Sequence, residues 1–284
     1  MNPESWPDRP RRLPVPRTVS SVNDTLIQAW RSWLTASDLA PQSIRLRYYQ
    51  LARFARSHPD LATVTSQQLT DWLARPGWST DTRRSQRAAL RSFYGWLQAT
   101  GQRPDDPSRL LRRIRAAKHQ ARPAPDSAVQ EAIDRSDARS RLMVTLAVRL
   151  GIRRGEIALV HSDDLIQDLV GWSLLVHGKG RKERIVPLSP DVAAMLLALP
   201  KGWAFPGLTD GHLSAGHVGV LVGRALPDGW TTHTLRHTFA TKAYARTGDL
   251  AGVQEILGHE SPTTTRNYVR VPPEALRAVV NAAA

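Results

Sequence analysis

The stretch "THTLRHTFA" sets His233, Arg236 and His237 at i, i+3 and i+4, so on a helix all three lie along one side. Further on, "LGHESPTTTRNYVRV" adds His259 in a turn after Gly258 and then a lone tyrosine, Tyr268, among threonines. Two histidines one turn apart have the spacing of a metal pair. Yet no glutamate follows the first of them, and the chain has no cysteine, so a zinc site is disfavoured. A packed core does not ask for this set. Basic, titratable and hydroxyl side chains together suit a site that handles a phosphate.

Two earlier segments carry further chemistry. In "RLGIRRGEIALV", Arg153 follows an apolar helix and a glycine and stands three residues before Glu156. An arginine delivered there is poorly solvated and needs a close partner, either Glu156 in an ion pair or the phosphate of a ligand. In "VHGKGRKERIVPL", Lys179 sits between Gly178 and Gly180 at a β-turn. A turn lysine is ordinarily a surface charge, although flanking glycines let the turn approach another surface closely. Tyr268 taken alone is an ordinary core or interface tyrosine.

These segments need a scaffold, and 284 residues give room for two ordinary domains. Residues 1–19, rich in proline and arginine without periodicity, read as a flexible basic arm. Residues 20–105 read as a compact bundle of four helices. The first, "NDTLIQAWRSWLTAS", opens at an Asn23-Asp24 cap, and the last, "STDTRRSQRAALRSFYGWLQATG", runs from a Ser/Thr cap to Gly101. Residues 106–125 mix arginines with prolines and read as a linker. Residues 126–284 form the second domain. There "DDLIQDLVGWSLLVHGKGRKERIVPLSP" predicts a three-stranded antiparallel sheet, with helices before it and helices again from Asp191 to the end. The class is mainly α with one small embedded sheet.

Charge narrows the partners. The formal net charge is +14, and it is uneven: residues 1–125 hold 21 Lys+Arg against 9 Asp+Glu, residues 126–284 hold 18 against 16. Part of this is a solvated, arginine-rich surface; the sharper reading is a polyanion-binding N-terminal half. On the fourth helix Arg83, Arg84, Arg87 and Arg91 are so spaced that three share one face, either a solvent-facing stripe or a set of phosphate contacts. No run of eighteen apolar residues and no apolar leader region is present, so a soluble cytoplasmic protein without membrane partners is expected. The lack of cysteine fits that compartment.

Each of these features is ordinary alone, but the ordered set is not. "GIRRGE", "GKG", "HTLRH", "LGH" and "TTRNY" occur in the order and at the spacing found in the tyrosine recombinases, the phage-integrase and chromosome-dimer-resolving family. Over residues 20–280 the chain resembles that family. The resemblance implies that Arg153 and Arg236 grip the scissile phosphate and that Lys179 matches the family's β-hairpin lysine. It makes His233 and His259 the two active-site histidines and Tyr268 the nucleophile, with Glu156 and His237 in support. It also makes the N-terminal bundle a core-site DNA-binding domain that completes a clamp around the duplex.

Those residue types suit the reaction so implied. Displacement at a phosphodiester concentrates negative charge on the non-bridging oxygens, which forked guanidiniums stabilise without a divalent metal. A tyrosine hydroxyl, with a pKa near ~10, needs a base such as His233 to lose its proton. The departing 5′-oxygen needs a proton, which Lys179 could supply. A covalent 3′-phosphotyrosine keeps the bond energy, so no cofactor, metal or ATP is expected.

The expected activity is site-specific cutting and rejoining of double-stranded DNA, for integration and excision or for dimer resolution. The resemblance implies a homo-tetramer on two core sites, passing through a four-way junction and open to an accessory directionality factor. A type IB topoisomerase-like relaxing enzyme and a non-catalytic site-specific DNA-binding protein are the alternatives. With only a short arm ahead of the bundle, the arm-site domain of larger integrases is expected to be absent. After Pro272-Pro273, the apolar stripe Leu276, Val279 and Val280 is expected to dock on a neighbouring protomer, with a degradation tag as the other reading of the final "NAAA".

Overall fold

The structure, a computed structural model, describes residues 21–116, 121–178, 180 and 182–258. The chain divides into two compact units, residues 1–118 and 119–284.

The first unit holds α1 (Ser21–Ala36), α2 (Pro41–Ala55), α3 (Ser66–Leu73) and α4 (Thr80–Ala99), and the last three start where local chemistry favours a start. Pro41 opens α2 with its φ already helical. Thr65 and Gln68 form a reciprocal capping box on α3, and the Ser79 hydroxyl accepts from the Thr82 amide at α4. The apolar stripe Ile27, Trp30 and Leu34 of α1 closes on Leu51 and Phe54 of α2 and on Leu90, Phe93 and Leu97 of α4. One expected cap proves to be something else. The first helix begins at Ser21, ahead of Asn23, and the Asn23 side chain is fully buried. Its Nδ2 donates to the carbonyls of His58 (3.1 Å) and Pro59 (3.0 Å) and its Oδ1 accepts from the Leu61 amide (3.0 Å). A buried carboxamide must fill its hydrogen bonds, and this one does so by tying α1 to the loop after α2.

The second unit is built around α6 (Ala138–Arg149), which buries Leu142, Met143, Val144, Leu146 and Ala147. Around it stand α5 (Asp126–Arg135), α7 (Arg154–Ala158), α8 (Pro190–Leu197), α9 (Ala215–Ala225), α10 (Thr232–Thr247) and α11 (Leu250–Leu257). Strands β1 (Leu165–Gln167), β2 (Trp172–His177) and β3 (Glu183–Pro187) form an antiparallel sheet in that order. The register places Leu165, Leu174 and Val186 side by side, and this row faces the core. The class is thus mainly α with one three-stranded sheet. One detail departs from the expected run of helices after Asp191. A short strand, β4 (Pro206–Thr209), folds back through Asp210 and Gly211 to bridge His212. Four residues around a tight turn are too few to show a period of two.

Among the described residues no helix is long and apolar enough to cross a membrane.

Candidate active site

The site grows from the end of α6. Gly151 turns the chain with φ +63°, a left-handed conformation that favours glycine, and an added Cβ would overlap the Phe239 ring. This turn delivers Arg153 to the N-terminus of α7. One turn later Glu156, 4% exposed, reaches back to accept from the Arg153 amide (2.8 Å) and from Arg153 Nη1 (2.7 Å). The Arg153 side chain itself remains 39% exposed.

A second arginine reaches the same carboxylate from β3. Arg184 Nη1 lies 3.1 Å from Oε1 of Glu156 and Nη2 2.9 Å from Oε2, a bidentate pair. Its Nε donates to the Ile256 carbonyl near the end of α11 (2.6 Å). The third arginine is Arg236 of α10, 1% exposed. Its Nη1 donates to the Gly151 carbonyl (2.5 Å) and its Nη2 to the Leu257 carbonyl (2.6 Å), with Nη1 3.9 Å from Oε2 of Glu156. Three guanidiniums thus surround one carboxylate. Burial alone would raise the Glu156 carboxyl, but the hydrogen bonds and charge of Arg184, then of Arg153, outweigh it and hold the group below its ordinary range. It is a carboxylate at neutral pH, and the cluster keeps excess positive charge. Such a cluster attracts an anion.

Of the remaining predicted residues, His233 and His237 share α10 with Arg236. On α10, His237 is buried and His233 exposed, their rings edge to face with centroids 4.6 Å apart. At the hairpin between β2 and β3, the Gly178 amide donates to the Lys182 carbonyl (2.6 Å), and a Cβ on Gly178 would stand 3.7 Å from Oε1 of Glu156. The turn therefore starts against the arginine cluster. Lys179 lies outside the described residues, as do His259 and Tyr268 and the apolar stripe of the tail. Gly258, immediately before His259, ends α11 with φ +63° and packs against the Arg184 side chain. Among the described residues no group of three or more His, Cys, Asp or Glu is placed to hold a metal ion.

Arg184 was not among the expected site residues. The signal lies in the strand's alternation: Arg184 shares its face with the buried Val186 and pairs with the buried Val176. A charged residue at an inward position of a strand demands a buried partner.

The four arginines of α4 all have partners within the first unit. Arg83 Nη2 reaches the Arg75 carbonyl (3.3 Å), and Arg84 Nη1 pairs with Asp81 (3.2 Å). Arg87 donates through Nε (3.0 Å) and Nη2 (2.8 Å) to the Leu111 carbonyl, and Arg91 Nη1 donates to the Ser108 carbonyl (3.1 Å). Arg87 and Arg91 so strap the segment after α4 along the helix, and Leu111 joins the buried core. Burial, then the charges of Arg91 and Arg113, lower the Arg87 pKa.

Comparison with known proteins gives the family of the chain. Residues 212–274 match the model of the phage integrase family. The chain is 30% identical over 242 residues to tyrosine recombinase XerD of Rhizobium meliloti (strain 1021), covering 73% of this chain and 76% of that protein. It is 31% identical over 249 residues to tyrosine recombinase XerC of Xanthomonas campestris pv. campestris (strain B100), covering 81% and 77%. Among solved structures, the fold is similar to XerH site-specific recombinase bound to palindromic difH substrate in a post-cleavage complex. That match has a TM-score of 0.68 and 22% identity and covers 91% of this chain and 83% of that one. It is similar also to a lambda integrase tetramer bound to a Holliday junction, with TM-score 0.69, 19% identity, and 85% and 78% covered. The chain belongs to the tyrosine recombinases. It is a site-specific DNA recombinase, an enzyme that cleaves and rejoins DNA strands through a tyrosine-linked intermediate. Nothing in these matches favours a topoisomerase-like or a purely DNA-binding role.

Proposed function

We propose that the arginine cluster is the phosphate-holding half of the active site. Arg153 and Arg236 grip the non-bridging oxygens, Glu156 fixes both guanidiniums, and the segments on either side supply the moving protons. The observation that carries this reading is the convergence of Arg153, Arg184 and Arg236 on one buried carboxylate, at the point where the Gly178 turn and Gly258 also meet. Two guanidiniums fixed before substrate arrives need no reorganisation as charge grows in the transition state.

In this scheme Tyr268 attacks the phosphorus and its proton passes to His233. The departing 5′-oxygen takes a proton from Lys179, and His259, following directly on Gly258, adds a further hydrogen bond to the phosphate. His237 backs His233 through the edge-to-face contact. The 3′-phosphotyrosine is then attacked by a 5′-hydroxyl of the partner duplex, with no net change in phosphodiester bonds and no ATP. The bundle of α1–α4 is the core-site DNA-binding domain, residues 1–19 a basic arm, residues 106–125 its connection to a catalytic domain of residues 126–284, and Arg83, Arg84, Arg87 and Arg91 face phosphates. Four copies assemble on two double-stranded core sites in the cytoplasm, and the tail after Pro273 docks on the neighbouring copy. A separate directionality factor is compatible with the scheme and is not needed for the chemistry.

A substrate whose bridging 5′-oxygen is replaced by sulfur tests the assignment. A thiolate leaves without a proton, so Lys179→Ala should cut it nearly as fast as the unaltered enzyme while remaining slow on ordinary DNA. Arg153→Ala should show no comparable rescue. Equal defects of Lys179→Ala on both substrates would return this lysine to a simple phosphate contact.

A further inference from the structure

The β2–β3 ladder ends on the pair His177 and Glu183, and the turn that carries Lys179 is built on that pair. His177 Nδ1 lies 3.0 Å from Oε1 of Glu183, its neighbour across the ladder. Its Nε2 lies 2.8 Å from Oδ1 of Asp164, at the end of the short 3-10 turn Ser162–Asp164 before β1. Both partners are carboxylates, which only accept hydrogen bonds when ionised. A neutral imidazole has one N–H and cannot donate to both; the imidazolium can. The geometry therefore selects the charged ring, joined on one side to its own hairpin and on the other to the element that leads into β1.

The surroundings do not oppose that charge. The Asp164 side chain is the better shielded partner, 13% exposed against 55% for Glu183. The ring borders an open cavity lined also by Leu159, His161 and Trp203, through which solvent reaches it. His161, the other titratable group on that wall, has its Nδ1 3.5 Å from Asp163 and its ring against Trp203. Lys182 precedes Glu183 at the foot of the turn. On the opposite face of the strand pair, Arg184 points inward to Glu156.

We propose that His177 is a positioning residue for Lys179, pinning the base of the hairpin to Asp164 and Glu183 as an imidazolium and releasing it when the ring deprotonates. The inference rests on the assignment of Lys179 above. The Asp164 hydrogen bond, against a smaller opposing effect of burial and with the charges of Asp164 and Glu183 beside it, raises the His177 pKa above its ordinary value. The hold is accordingly complete below the ordinary histidine value of ~6.5 and is lost as pH rises through the raised folded value. When it is lost, one ring nitrogen becomes an acceptor facing a carboxylate, so one of the two contacts turns repulsive. The turn then keeps its backbone bond from Gly178 to Lys182 but loses its side-chain anchor.

Two measurements on the full chain test this. The first compares hydrogen-exchange protection of the amides of residues 178–182, corrected for intrinsic exchange, with the ring nitrogen shifts of His177. In the unaltered protein the ring should be doubly protonated at about pH 6 and protection should fall several-fold by about pH 9. His177→Ala should show the low value at both, and His177→Arg, which stays charged and two-pronged, should keep the high one. A neutral ring at the lower pH, with protection that does not change, would overturn the proposal. The second measurement is single-turnover cleavage. His177→Ala should be slower by about tenfold at the lower pH, a fraction of the ~10²- to 10⁴-fold that general acid catalysis supplies. That defect should fade at the higher pH and nearly vanish on the bridging-sulfur substrate. A defect equal at both pH values and on both substrates would mark a merely structural residue and reject the idea. A pH-dependent pin beside a Lys179→Ala that sulfur fails to rescue would support the pin and place the error in the general-acid assignment.

Discussion

Arg184 faces Glu156 with both ends of its guanidinium, Nη1 at 3.1 Å from one carboxylate oxygen and Nη2 at 2.9 Å from the other, and both side chains are almost wholly withdrawn from solvent. Through its Nε the same guanidinium holds the Ile256 carbonyl. One side chain thus ties the strand that follows the Lys179 turn to the helix of Arg153 and to the segment that leads into His259. The groups proposed as catalytic come from separate stretches of sequence, and Arg184 links three elements that border them, β3, α7 and the end of α11.

Removing Arg184 should therefore cost more than a surface charge would. Arg184→Gln leaves the buried Glu156 short of its bidentate partner, and breaking such a pair costs about 3–5 kcal/mol. Urea unfolding should show that loss, with Arg184→Lys intermediate because a point charge cannot replace the fork. A change under about 1 kcal/mol, the size of a surface pair, would show that the pair does not organise the site.

Glu156 predicts an acid limb in the stability curve. Its folded pKa is depressed, so the stabilisation is present above the ordinary glutamate value of ~4.3 and is lost as pH falls below it through the folded value. Glu156→Gln should be less stable at neutral pH and should unfold with a shallower pH slope in that acid range. Equal slopes for the two proteins would mean that Glu156 titrates alike folded and unfolded.

Gly151 is constrained twice over, by φ +63° and by the Phe239 ring where a Cβ would stand, and its carbonyl receives Arg236. Gly151→Ala should destabilise the second unit by about 2–5 kcal/mol, from left-handed strain of ~1–2 and overpacking of ~1–3. It should also slow cleavage, because it moves the acceptor that orients Arg236. Thermal unfolding and single-turnover cleavage on the same preparation check both, and an unchanged cleavage rate would dissociate the turn from the arginine.

The α4 arginines separate into two kinds. Arg84 pairs with Asp81 on an exposed surface, whereas Arg87 holds the Leu111 carbonyl. Arg84→Ala should weaken DNA binding and reduce the salt slope by about one, as for a lost phosphate contact, with stability unchanged. Arg87→Ala should also loosen the segment around Leu111, read as lost protection of its amides. If neither changes the salt slope, the stripe does not face DNA.

Much of this was legible in the residues. The helices announce themselves through caps and apolar stripes, the Ser79 cap before α4 among them. The sheet follows from alternation on either side of "VG" and "GKGRK". Arg153, Arg236 and His237 were visible as a spacing; the structure brings the two arginines to Glu156 and sets His237 against His233. Arg184 and His177 were not, because their importance comes from tertiary partners, Glu156 and Asp164, that no local pattern names. Asn23 misled for the same reason: its cap-like type serves a buried tether to residues far along the chain.

The central claim is that Tyr268 is the nucleophile served by the arginine cluster. The most direct measurement incubates the protein with DNA carrying its core site and a nick that lets the cleaved end diffuse away, digests the covalent adduct, and identifies the nucleotide-bearing peptide by mass spectrometry. With Tyr268 as the nucleophile, the adduct should form on Tyr268, through a 3′-phosphate, in the unaltered protein. None should form in Tyr268→Phe, which should bind the site with unchanged affinity because the charges around the phosphate are intact. An adduct on another residue, or one that persists in Tyr268→Phe, would contradict that claim.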